Sequence, residues 1–212
     1  RVFSPSSINR YLACPRQYLY NDIFSLKPKD GNPNYASYGL AVHKACEKGF
    51  EFLRDKKMPP EKTQFIKWFK DELSTLPMES YQQRENFEVR GEKALDKYYA
   101  KLCNTSSTDI VDVEYPLDYT LDDGTKFFGK VDRVDKREDG TYAIYDYKTG
   151  TDSSGITKGG IHSDYYYQIA FYKYLFKKQF GISADISTTF IYPLLDEEYH
   201  TLKDISDDIC EE

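Results

Sequence analysis

The sequence predicts an α/β domain with a helical N-terminal half. Three observations carry that reading. Apolar residues recur at spacings of three and four up to about residue 102; the period then falls to two over three short runs; and a Gly/Ser-rich stretch at 149–160 precedes one more helical segment and one more strand. The helices begin at Ser4-Pro5-Ser6-Ser7, where hydroxyl caps and an early proline open a helix bearing Ile8, Tyr11 and Leu12 on one face. Pro15 opens a second, short helix with Tyr18 and Tyr20, and Pro28, Gly31 and Pro33 mark a loop. An amphipathic helix over 36–56 carries Leu40, His43, Cys46, Phe50 and Leu53, and Pro59-Pro60 start another with Phe65, Phe69, Leu73 and Leu76 in one stripe. A fourth long helix spans 79–102. Strands follow at 110–119, 126–135 and 141–148, with turns at Asp122-Asp123-Gly124 and Glu138-Asp139-Gly140, a three-stranded antiparallel meander. A helix over 164–180 and a strand over 186–192, stopped by Pro193, complete one domain over 1–212.

Composition narrows the class. Hydrophobic residues at 40% and charged residues at 30% exclude a disordered chain, a collagen and a disulfide scaffold. A chain of this length buries about 70% of its unfolded surface, enough to fold without a staple. No run of 18 apolar residues is present, and Arg1-Val2-Phe3-Ser4-Pro5 lacks the apolar core of a signal peptide. The first residue is not Met, so a fragment of a longer polypeptide is expected. The net charge of −6 is uneven: 196–212 carries −7, and the first thirty residues carry +3, which leaves a polyanionic partner open. Cys14, Cys46, Cys103 and Cys210 form no C-x-x-C pair and no zinc spacing; buried or half-buried thiols in a reducing compartment are expected.

The chemistry concentrates in Phe128-Gly129-Lys130-Val131-Asp132-Arg133-Val134-Asp135 and Ala143-Ile144-Tyr145-Asp146-Tyr147-Lys148-Thr149-Gly150. Alternation along a strand puts Asp146 and Lys148 side by side and turns Tyr147 away. A hairpin centred near Asp139 brings Asp132 opposite Asp146, with Cβ atoms roughly 4.5–5.5 Å apart. Two carboxylates that close repel unless a cation lies between them, and a divalent ion with oxygen ligands fits the gap. The Asp-x-Lys pattern alone means little: Asp55-Lys56-Lys57 fits it at the charged end of a helix, and a surface ion pair is the bland alternative for Asp146 and Lys148 too. His43, with the small Gly39 one turn before it, is the third candidate; His162 and His200 read as surface residues.

In order, Gly39-x-x-x-His43, Gly129-Lys130-Val131-Asp132-Arg133-Val134-Asp135, Asp146-Tyr147-Lys148-Thr149-Gly150 and Gln168-x-x-x-Tyr172 resemble the motifs of the PD-(D/E)XK nuclease superfamily, closest to the RecB/AddB-like nuclease domain at the C-terminus of helicase–nucleases. Ser4-Pro5-Ser6-Ser7-Ile8-x-x-Tyr11-x-x-Cys14-Pro15 resembles that group's N-terminal signature. The resemblance implies a restriction-endonuclease-like central mixed β-sheet flanked by α-helices, and a DNA nuclease active with Mg²⁺ or Mn²⁺. It assigns His43, Asp132, Asp146 and the backbone carbonyl of Tyr147 to the metal, and Lys148 with Asp146 and Asp132 to catalysis. Gln168 and Tyr172 would brace the site or touch DNA. Glu114, Lys130 and Arg133 are accessory or DNA-binding candidates, Glu114 standing outside the metal's immediate ligands. A bound cation acidifies water and polarises a phosphoryl oxygen, which is the chemistry such residues serve.

Relatives of that kind hold a [4Fe-4S] cluster through one early cysteine, at the position of Cys14, and a C-terminal triplet. The chain reaches Cys210-Glu211-Glu212 without such a triplet, so a cluster is possible only in a longer protein. No Gly-x-x-x-x-Gly-Lys-[Ser/Thr] loop is present, so a helicase or ATPase motor would lie elsewhere in cis or in trans. A nucleoid-associated cytoplasmic exonuclease in recombination or repair is the expectation. An inactivated module that only binds DNA or protein, and a stand-alone CRISPR-associated-type exonuclease, are the alternatives. The aromatic helix around Tyr165-Tyr166-Tyr167, Phe171, Tyr172 and Tyr174 reads as packing rather than base stacking.

Overall fold

The computed structural model describes residues 2–26, 33–149, 164–181, 184–190 and 199–201. The chain opens with β1 (Val2–Phe3), α1 (Pro5–Ala13) and α2 (Pro15–Tyr18), the last running on into a π-helical turn at Leu19–Ile23. Three long helices follow: α3 (Pro33–Lys56), α4 (Lys62–Thr75) and α5 (Tyr81–Asn104). Then come β2 (Ile110–Thr120), β3 (Lys126–Lys136), β4 (Tyr142–Lys148), α6 (Asp164–Phe180), β5 (Ala184–Phe190) and β6 (Tyr199–Thr201).

The predicted element order holds, with bounds shifted by a few residues. Helix α4 starts at Lys62 rather than at Pro59-Pro60, and the last long strand is described over Ala184–Phe190, the predicted residues 191–192 lying outside the described residues. Strands β1 and β6 went unpredicted because two or three residues cannot display a period. The start of α1 follows its sequence signal: the Ser7 amide donates to the Ser4 hydroxyl oxygen (3.2 Å), and the Ser4 amide donates back to the Ser7 oxygen (2.8 Å), a reciprocal cap with Pro5 in the first turn.

The six described strands form one mixed sheet, and β3 organises it. Along one edge β3 pairs antiparallel with β2 from Lys126 to Asp135. Its other edge is shared: β4 pairs antiparallel with 133–136, and β1 pairs parallel with 126–127. Residues 128–132 lie between those two partners. Strand β5 then adds parallel to β4, and β6 antiparallel to β5.

Apolar side chains leave the sheet in two directions. One cluster joins α3, α4 and α5 through Phe50, Phe65, Phe69, Leu95 and Tyr98, and takes in Ile110, Val113 and Tyr147 from the strands. The second joins Leu117, Val131, Val134 and Ile144 to Ile169, Tyr172, Leu175 and Phe176 of α6. A sheet buried by helices on both faces is the layered solution expected when strands are apolar in both directions. Phe171 and Tyr174 pack their rings against Phe127 (centroids 5.7 and 6.4 Å apart), so the described aromatics of α6 serve packing. Among the described residues, no helix is long and apolar enough to cross a membrane.

Candidate active site

The uncovered stretch of β3 is where the candidate residues meet. The β3–β4 ladder runs inward from the hairpin to Arg133↔Tyr145. The next step of that register sets Asp132 opposite Asp146, as the hairpin count predicts, one position past the last ladder pair. There the Asp132 carboxylate takes up the backbone: Oδ2 accepts the Tyr147 amide N–H at 2.5 Å. The other oxygen, Oδ1, lies 2.8 Å from His43 Nδ1, which α3 brings over the sheet. Gly39 makes that approach possible, since a Cβ there would sit 3.0 Å from the Thr149 hydroxyl oxygen.

Beside this pair runs a second chain of contacts. Lys148 Nζ lies 2.6 Å from Asp146 Oδ2 and donates to Gln168 Oε1 at 2.9 Å. The Gln168 amide nitrogen donates to Asp146 Oδ1 (3.3 Å) and to the Tyr172 hydroxyl oxygen (3.1 Å). Tyr172 in turn donates to the Lys130 carbonyl at 3.1 Å, so a side chain from α6 bonds a backbone acceptor in the open stretch of β3. Gly129 admits that ring: a Cβ there would lie 2.9 Å from Tyr172 Cε1.

Electrostatics follow from burial. Desolvation pushes the Asp146 carboxyl upward and the neighbouring Asp132 charge adds to it, against the opposing pull of Lys148. Burial alone would lower the His43 imidazole; its hydrogen bond to Asp132 and the charges of Asp132 and Asp146 outweigh that, and the net shift is upward.

Glu114 lies closer to the centre than the sequence places it. One donor atom each from His43, Glu114 and Asp132 lie within 4.8 Å of one another, and Asp146 is not in that group, its oxygens being turned to Lys148 and Gln168. Register explains the position, since Glu114 falls between the pairs Val113↔Arg133 and Tyr115↔Val131, opposite Asp132. Its backbone is left-handed at φ 52°, a conformation that costs a non-glycine residue about 1–2 kcal/mol. The carboxylate also pairs with the Lys130 ammonium.

Arg133 corrects an expectation. It was expected at the nucleic-acid surface, and it is buried, its guanidinium lying between the rings of Phe50 and Tyr145 at 4.0 and 3.9 Å and 3.0 Å from Asp135. It belongs to the core joining α3 to the sheet. Arg10, on α1, is held by Asp22 through two bonds of 2.8 and 2.6 Å. Cys14 at the α1–α2 junction and Cys103 near the end of α5 are exposed, whereas Cys46 is buried; the expectation of buried or half-buried thiols fails for the first two. Cys210, His162 and the 149–160 loop beyond Thr149 lie outside the described residues, as does the side chain of His200.

Two clefts flank the centre. One of about 710 Å³ is lined by His43, Asp132, Glu114, Lys130, Glu47 and Glu72. The other, about 220 Å³, lies on the far side of Lys130 against Ser4, Ser6, Gln168 and Tyr172.

An imidazole, three carboxylates and an amine thus come together from α3, β2, β3 and β4 of a mixed sheet packed between helical layers. The sequence model of the PD-(D/E)XK nuclease superfamily matches residues 2–201, and the chain belongs to that superfamily. Among solved structures, a crystal structure of a protein from Eubacterium rectale, to which an exonuclease activity has been ascribed, is similar: TM-score 0.54 at 14% identity, over 98% of this chain and 74% of that one. At that identity the likeness shows a shared fold. No curated protein matches the sequence.

Proposed function

We propose that this nuclease domain hydrolyses DNA phosphodiester bonds with Mg²⁺ or Mn²⁺, as the exonuclease module of a RecB/AddB-like helicase–nuclease acting in recombination or repair. The observation that carries the reading is the meeting of His43, Glu114 and Asp132 donors within 4.8 Å, next to the 2.6 Å pair of Lys148 and Asp146. Hard oxygen donors with one imidazole suit Mg²⁺ and, with the nitrogen, Mn²⁺. His43, Asp132 and Glu114 would hold the ion, with Asp146 and the Tyr147 carbonyl completing the set on the Lys148 side. When bound, a divalent cation acidifies water and stabilises charge on the phosphoryl oxygens.

The chain's own residues do the rest. Lys148 stands beside Asp146 with its amine aimed by Gln168, where as an ammonium it would orient the attacking water and counter charge on the scissile phosphate. Gln168 and Tyr172 fix that amine through the chain of bonds ending on Lys130. The His43 imidazole holds Asp132 in place from the helical layer. The ascribed activity of the E. rectale protein supports the exonuclease reading. A motor in cis or in trans would supply the DNA end, in the nucleoid.

Degradation of linear DNA with Mg²⁺ or Mn²⁺ tests the assignment. Wild type is expected to cleave, while Lys148→Ala and Asp132→Ala fall by 10²-fold or more, roughly the scale for a group that stabilises transition-state charge. Equal cleavage by all three proteins removes the assignment.

A further inference from the structure

Lys130 lines both clefts, yet the hydrolytic scheme gives its side chain no task. It stands two residues before Asp132 in the open stretch of β3, and its ammonium pairs with Glu114. That carboxylate is also one of the three donors that come together for a cation. Glu114 cannot serve both fully, because a divalent ion and an ammonium on one carboxylate repel each other. Which partner yields is decided by how each is held. Lys130 is 55% exposed on a flexible four-carbon stem, whereas Glu114 is 23% exposed on a left-handed backbone inside a paired strand.

The displaced amine has somewhere to go. The smaller cleft is lined by Ser4, Ser6, Asn9, Lys130, Gln168 and Tyr172, and among the described residues no carboxylate lines it. An ammonium turned into that space meets no described counter-charge there and is free to take an anionic ligand. The larger cleft is the reverse, with Glu47, Glu72, Glu114 and Asp132 along its wall.

We propose that Lys130 is a displaceable counter-ion: a divalent cation arriving at Glu114 ejects the ammonium, which turns into the smaller cleft and takes a backbone phosphate of the nucleic acid there. The inference rests on the reading that the site takes a divalent cation. It makes metal loading and phosphate grip two ends of one linkage, each favouring the other.

Calorimetric titration with Mn²⁺ tests the first half, using wild type, Lys130→Met, Glu114→Gln, the double variant and Asp132→Asn. Lys130→Met is expected to bind Mn²⁺ roughly threefold to tenfold tighter than wild type, the scale of one partly exposed charge. In the Glu114→Gln background the same substitution changes nothing, since the shared carboxylate is gone. Unchanged or weaker Mn²⁺ binding by Lys130→Met overturns the proposal and leaves the metal site standing. No binding by wild type, or equal binding by wild type and Asp132→Asn, removes the metal reading itself.

Oligonucleotide affinity by fluorescence anisotropy tests the second half. With Ca²⁺ bound, Lys130→Met is expected to lose several-fold in affinity; in EDTA, where the wild-type amine is engaged with Glu114, the two proteins bind alike. An equal loss in both conditions overturns the proposal. The exposed side chain makes misfolding a poor explanation for either result, and matching thermal melts verify that.

Discussion

At the scale of single residues, Arg133 and Glu114 show how one strand divides its side chains between core and chemistry. Arg133 precedes the hairpin by a few residues and reads from sequence as a phosphate contact, yet its charge is spent inside. Burial disfavours a guanidinium, and the buried rings and carboxylate around it reverse that, so it stays charged. The partner pays a desolvation cost too: burial raises the Asp135 carboxyl despite the adjacent Arg133. Arg133→Ala leaves that carboxylate buried and alone and removes both ring contacts, so stability is expected to fall by about 3–5 kcal/mol in urea unfolding. Arg133→Met with Asp135→Asn, which removes both charges, recovers most of the loss. A loss under about 1 kcal/mol for Arg133→Ala would mean the sandwich is incidental.

Elements position what residues supply. Helix α3 carries His43 to the sheet because Gly39 lets it approach Thr149, and Ala41, Val42, Ala45 and Cys46 bury the faces on either side. Helix α6 carries Gln168 and Tyr172 onto β3 because Gly129 leaves room for a ring. A methyl group at Gly129 forces Tyr172 to move and strains the path Lys130 carbonyl–Tyr172–Gln168–Lys148. Gly129→Ala is therefore expected to lower the cleavage rate roughly tenfold or more through a misplaced amine, while overpacking costs about 1–3 kcal/mol of stability. Kinetics and thermal melts on the same preparation read both. An unchanged rate would show that the α6 chain of bonds does not set the position of Lys148.

The whole molecule holds its acids near one another at a standing electrostatic cost. Asp132 on β3 has Glu114 across from it on β2 and Asp146 near it on β4, and the layers around the sheet fix those positions when the chain folds. A cation that binds only the folded state returns that cost as stability, about 2.7 kcal/mol at a hundredfold excess over its Kd. Mn²⁺ is therefore expected to raise the melting temperature of wild type and to leave Asp132→Asn unmoved. A shift of equal size in both would place the ion elsewhere.

Much of this was legible along the chain. The order of long elements follows from periodicity, since a helix that buries one face must repeat its apolar residues every three to four positions and a strand every two. The Asp132, Asp146 and Lys148 set follows from strand alternation and the hairpin, and His43 from its glycine one turn earlier. Local rules reach no further, because they say nothing of what arrives from a distant segment. That β1 joins β4 along one edge of β3 is a fact of pairing between strands more than a hundred residues apart, β1 and β3. The end of the β3–β4 ladder leaves Asp132 to the Tyr147 amide, and the β2–β3 register with the packing of α3 brings Glu114 within reach of His43. The same packing took Arg133 out of contention: the side chain next to Asp132 went to the helical layer, where two rings and a carboxylate hold it away from any solvent-borne phosphate.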